Sequence, residues 1–86
     1  LSGDYGACHV EQVTVDAYTD RFLIENDEYY YALPTLHCNR PIDRVSFLTK
    51  PAGYPADIRE DTLRTRVPGR GMEVLEVAYR GDARQK

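Results

Sequence analysis

The chain has 86 residues, a hydrophobic fraction of 42% and seven tyrosines, enough for one core, too little for two, and too aromatic to stay disordered. Eleven basic against fourteen acidic residues give a formal charge of −3, which excludes a global attraction to nucleic acid or to an anionic membrane and leaves only local patches. No run approaches the roughly 20 apolar residues of a membrane-spanning helix, and no signal-peptide pattern opens the chain.

The start at Leu1 rather than methionine reads as a processed mature protein or a trimmed piece, and residues 1–86 read as one domain. Cys8-His9-Val10-Glu11 alternates, as does Val13-Thr14-Val15-Asp16-Ala17, with Gln12 throwing the two out of phase. That predicts strands near 7–11 and 13–18, separated by a bulge or a break. Arg21-Phe22-Leu23-Ile24-Glu25 and Glu28-Tyr29-Tyr30-Tyr31-Ala32-Leu33 flank the polar pair Asn26-Asp27, the pattern of a hairpin. After Pro34 and Pro41, Arg44-Val45-Ser46-Phe47-Leu48-Thr49 predicts a fifth strand, and residues 51–55 a loop.

Asp57 and Glu60 have the spacing of a capping pair, which predicts a short helix over 57–65, although residues 63–67 also alternate with period two. Residues 68–71 break the pattern. Glu73 to Tyr79 is the last strand, with Leu75, Val77 and Tyr79 on one face, and 81–86 read as a frayed tail. The expectation is mainly β: a small six-stranded antiparallel β-sandwich or barrel with one short helix.

Cys8 and Cys38 in so small a chain read as one disulfide of a secreted domain, stabilising by roughly 3 to 4 kcal/mol. The alternative is two reduced thiols inside a cell. With His9 and His37 they also offer a zinc ligand set, but adjacent strand residues face opposite sides and the usual ligand pairs stand two to four residues apart, so no metal site is expected.

His9, His37, Glu25, Glu28, Arg40 and Arg44 contain the groups a nucleolytic site needs. Such residues are common on polar strands and loops, and no phosphate loop or nucleophile motif accompanies them. Arg59, Arg64, Arg66 and Arg70 could form a basic patch, but Asp57, Glu60 and Asp61 interleave with them, as on a solvated face. Of Tyr29-Tyr30-Tyr31, at least one ring must leave the core. It either serves recognition or lies over a polar face.

The placement of Cys8 in Ala7-Cys-His-Val-Glu11, and of Cys38 after Glu28-Tyr-Tyr-Tyr-Ala-Leu33 and before Arg44-Val-Ser-Phe-Leu-Thr49, resembles the MAX effectors. These are small secreted avirulence and ToxB-like proteins of plant-pathogenic fungi. The resemblance covers about residues 6–50 and the last strand; the insertion from Lys50 to Gly71 departs from it. It implies two three-stranded sheets joined by the disulfide, no catalysis, secretion with passage into host cells, and binding of a host protein. Partners there often add a strand at an edge, which here is Val13, Thr14, Val15, Asp16 and Tyr18. Glu28-Tyr-Tyr-Tyr-Ala-Leu-Pro34 with Asp43-Arg-Val-Ser-Phe47 also looks like two core strands of guanyl-specific ribonucleases, though the preceding helix and a C-terminal cysteine are missing.

The reading favoured is a secreted, monomeric, non-enzymatic effector-like protein without cofactor, which binds a host protein and neither membrane nor nucleic acid. Tyr30, Arg64 and Arg66 join the edge residues as contact candidates. The alternatives are a ribonuclease-like effector or RNA-binding domain, and an intracellular bacterial or phage interaction domain.

Overall fold

Burial alternates strictly along two strands: Asp20, Phe22, Ile24 and Asn26 turn inward from one, and Glu73, Leu75, Val77 and Tyr79 from another. The computed structural model describes residues 8–81, with seven strands: β1 (Cys8–Asp16), β2 (Thr19–Asn26), β3 (Thr35–His37), β4 (Ile42–Phe47), β5 (Asp57–Arg59), β6 (Thr62–Arg64) and β7 (Gly71–Tyr79). They form two antiparallel sheets, four-stranded in the order β1-β2-β7-β4 and three-stranded in the order β3-β6-β5. Phe22, Ile24, Leu75, Val77 and Tyr79 from the larger sheet meet Leu36, Leu63 and Val67 in one core. The fold is mainly β, with no helix among the described residues and no closed barrel.

Three expectations about the elements are corrected. The helix over 57–65 is a hairpin, β5 against β6, turned at Glu60 with φ 59°. Leu63, Thr65 and Val67 are buried while Arg64 and Arg66 are exposed. Two threonines and a valine on this stretch fit the pleated surface, whereas an isolated helix of two turns would have to meet its own nucleation cost.

The break at Gln12 does not exist; β1 runs unbroken to Asp16, with its irregularity between Thr14 and Asp16. Gln12 is a polar residue on the inward parity, donating to Asp20 Oδ2 at 3.0 Å, and that reversal of the apolar pattern mimics a change of phase.

The hairpin at Asn26-Asp27 is also absent. β2 is paired to β1 and β7, its turn lies at Ala17-Tyr18, and residues 28–31 form a loop. The sheets are thus four- and three-stranded, with seven strands rather than six and not the three-plus-three division the resemblance implies. Residues 82–86 of the expected tail lie outside the described residues.

The cysteines are not bridged. Cys8 stands opposite Asn26 on β2, whereas Cys38 lies by the Tyr79 hydroxyl, which donates to Asp20. Asn26 and Asp20 are six residues apart on one strand, about 20 Å at the strand rise. A disulfide needs Cα atoms within about 7 Å.

Candidate functional site

Asn26, at 1% exposure, organises the tyrosine loop from beneath. Its Nδ2 donates to the carbonyls of Tyr30 (3.0 Å), Val67 (3.2 Å) and Pro68 (3.2 Å), and its Oδ1 accepts from the Glu28 N–H at 3.0 Å. Gly69 closes the loop from the other side. A Cβ there would lie 1.9 Å from the Tyr29 carbonyl oxygen, so only glycine permits the approach. With its backbone held, the loop presents Tyr29, Tyr30 and Tyr31 outward at 74%, 76% and 54% exposure. Tyr29 and Tyr30 meet edge to face at 4.9 Å.

Beside this loop lies a buried ion pair. Glu73 is wholly inaccessible; one carboxylate oxygen accepts from Thr65 at 3.2 Å and the other meets the ammonium of Lys50. Lys50 also donates to the Arg66 carbonyl and stands 3.6 Å from the Tyr54 ring centroid. Phe47 meets the Tyr54 ring edgewise at 5.1 Å. Carboxylate, ring and carbonyl together compensate the cation for leaving water.

Two adjoining depressions share Tyr54 and Arg66. One, of about 510 Å³, is lined by Leu33, Pro55, Asp57 and Arg64 among others; the second, of about 450 Å³, has the three tyrosines and Lys50 in its wall. The Arg66 guanidinium lies 4.3 Å from the Tyr31 ring centroid. Of the four clustered arginines, Arg64 and Arg66 reach this groove, Arg59 pairs with Asp57 at 3.2 Å, and Arg70 is exposed beyond it, its N–H given to the Glu28 carbonyl.

The remaining contact candidates lie elsewhere. Val13, Thr14, Val15 and Asp16 are exposed on β1, which pairs with β2 alone among the described residues. Tyr18 sits in the turn beyond, where its carbonyl accepts from the Tyr79 N–H. Tyr30 stands near the other end of β2, so edge and groove are two surfaces.

The candidate nucleolytic groups do not gather. His9 is on the solvent face of β1, 3.2 Å from Glu11 and in register with Glu25, while His37 belongs to the other sheet. Arg40 stacks on Tyr79 at 4.3 Å and donates to the Ala17 carbonyl, Glu28 lies in the tyrosine loop, and Arg44 is exposed on β4. Nor do the two Cys-His pairs converge: Cys8 turns inward, His9 outward, and Cys38 lies at the far end of β2.

Cys38, Tyr79, Asp20 and Gln12 form a chain of polar contacts under the β1–β2 turn. Burial, and then the hydrogen bond to Asp20, push the Tyr79 phenol far above its ordinary range. Burial raises both thiols, that of Cys38 against an opposing hydrogen bond with Tyr79.

Comparison with known proteins adds no relative: no family model, no curated protein and no solved structure matches the chain.

Sequence reasoning missed Asp20, Asn26, Lys50, Tyr54, Gly69 and Glu73. For three of these a signal existed. Asp20 and Asn26 share the parity of Phe22 and Ile24, and Glu73 that of Leu75 and Val77; a polar side chain on a buried parity demands a partner. Lys50 and Tyr54 come from loops, where no periodicity points at anything.

Proposed function

We propose that this chain is a non-catalytic protein-binding domain whose β1 accepts an extended strand from a partner. The observation that carries the reading is the edge itself. β1 is nine residues long, exposed from Glu11 to Asp16, free of proline, and apolar at Val13 (57% exposed) and Val15 (44%). The other edges carry the usual protection: β3 and β5 have three residues each, and β4 has Asp43 and Arg44 on it and prolines at 41 and 51. Glu11, Asp16 and the irregularity between Thr14 and Asp16 blunt this edge in part, but its length supplies main-chain hydrogen bonds for affinity and alternate side chains for specificity. The dispersal of the histidines supports binding rather than turnover.

The partner is a protein. In the effector reading it is a host protein met after secretion. The separation of Cys8 from Cys38 favours the second reading, an intracellular interaction domain with reduced thiols, because it removes the oxidised bridge that pointed outside the cell.

Successive strand residues direct their N–H groups to opposite edges. One of Val13→Pro and Thr14→Pro therefore removes a bond to β2 and lowers the melting temperature, while the other removes only an outward donor. Peptides selected on the full chain from a random dodecapeptide library are expected to protect amides of 11–16 from exchange, and the fold-neutral proline variant to abolish that binding. Selected peptides that leave those amides exchanging as before would overturn the reading.

A further inference from the structure

We infer that the groove between the tyrosine loop and residues 64–66 is a second binding site, built for an extended acidic peptide segment of a partner protein. Its occupant would carry carboxylates at alternate positions and an apolar residue beside them. This site is separate from the β1 edge and does not depend on it.

Charge is the first argument. Lys50 is matched by Glu73, and Asp57 by Arg59. Arg64 and Arg66 have no carboxylate partner among the described residues. Asp57 lines the same depression opposite Arg64, but its carboxylate is taken up by Arg59, so the two guanidiniums, on a chain of net charge −3, leave a local positive excess that an acidic segment fits.

Spacing is the second. Arg64 and Arg66 alternate with buried Leu63, Thr65 and Val67, so both leave the same face of an extended segment, their Cα atoms about 6.6 Å apart. Carboxylates at alternate positions of an extended peptide have the same repeat, and each guanidinium can take one with two parallel N–H donors.

Pre-organisation is the third. The loop is held by the four Asn26 hydrogen bonds and the Gly69 approach. Its tyrosines therefore offer apolar area at small ordering cost, next to Leu33 at 53% exposure.

A single-stranded nucleic acid fits less well. Base stacking needs free ring faces; Arg66 covers a face of Tyr31 and Lys50 a face of Tyr54, and the two remaining rings, Tyr29 and Tyr30, are set edge to face rather than as parallel platforms. Two free cations are also few for a phosphate track, and the chain's net charge repels a polyanion at a distance.

The test uses the full chain and the same random dodecapeptide library, followed by fluorescence polarisation of the enriched peptides and of a labelled single-stranded oligouridine. Expected is a class of peptides with acid at alternate positions, weakened at least tenfold by Arg64→Gln or Arg66→Gln and by added salt, and unaffected by the fold-neutral proline variant in β1. Tyr30→Ser should weaken the same class. Melting temperatures of Arg64→Gln and Tyr30→Ser should stay at wild type, since both side chains are exposed, and that of Arg66→Gln should fall only slightly, by the loss of its contact with the Tyr31 ring. Failure to enrich such a class, or its indifference to both arginine substitutions, would overturn the proposal. So would oligouridine binding more tightly than the peptides, which would assign the groove to nucleic acid. Loss of the β1-protecting peptides alone would leave this site standing.

Discussion

The Tyr79 hydroxyl donates to Oδ2 of Asp20 at 2.7 Å, with both residues buried. A carboxylate taken from water needs every donor it is given, and a hydrogen bond to a charged group contributes about 1.5–3 kcal/mol. Tyr79→Phe should therefore lose about that much in urea titration at pH 7, with the denaturant slope unchanged. The pH dependence has a defined sign. The phenol is held protonated in the fold, by burial first and the Asp20 bond second, so its contribution is complete below the unfolded value of about 10. Above it the unfolded chain releases a proton that the folded chain keeps, and stability falls by up to about 1.4 kcal/mol per pH unit. Tyr79→Phe should remove that component of the alkaline decline.

The thiols give a sharper contrast. Cys8 and Cys38 are free and far apart along β2, so reductant should leave the intact mass unchanged, and unfolding alone should expose two thiols to alkylation. In the folded protein burial raises both thiols, which reduces the thiolate available near neutral pH, so labelling should be slow until urea is added. Cys8→Ala and Cys38→Ala should each cost no more than about 2 kcal/mol. Opening a bridge would instead cost roughly 3 to 4 kcal/mol from either substitution.

Gly69 tests how tightly the tyrosine loop is defined. A methyl group there meets the Tyr29 carbonyl at 1.9 Å, an atom of the backbone that cannot rotate aside. Gly69→Ala should displace residues 29–31 and destabilise by about 1–3 kcal/mol. Amide resonances of the loop should shift while those of β1 stay in place.

How much of this was legible beforehand depends on where the polar residues fall. β7 could be read directly, because Leu75, Val77 and Tyr79 keep one parity and no turn signal interrupts them. β1 could not, because Gln12, exposed but on the parity of Cys8 and Val10, serves Asp20 from there. Asn26-Asp27 has the composition of a turn, yet Asn26 is buried under the loop it organises. The real turn, at Ala17-Tyr18, lacks glycine and is marked only by Asp16 Oδ1 accepting from the Tyr18 N–H at 2.8 Å. The basic stretch was visible as composition, but not its sorting: Arg59 is occupied by Asp57, while Arg64 and Arg66 face the groove. That depends on the β5–β6 hairpin, whose left-handed residue is Glu60 rather than a glycine or asparagine.

The Lys50–Glu73 pair separates stability from function at the edge of the groove. Glu73 is wholly buried and Lys50 has a side-chain exposure of 13%, so removing either partner strands the other charge away from water. Glu73→Leu should cost about 3–5 kcal/mol and Lys50→Met a similar amount. The double variant should recover most of the loss, since two apolar side chains leave no charge unmatched and the methionine can lie along Tyr54 where the ammonium did. A strongly non-additive cycle in urea titrations identifies the pair as a coupled unit, and additive losses would assign the two residues independent roles. Because Arg64 and Arg66 keep their positions in the double variant, its affinity for alternating acidic peptides should match that of the wild type. Any drop in proportion to the missing cation would place Lys50 among the groups that bind the ligand rather than among those that hold the groove's wall.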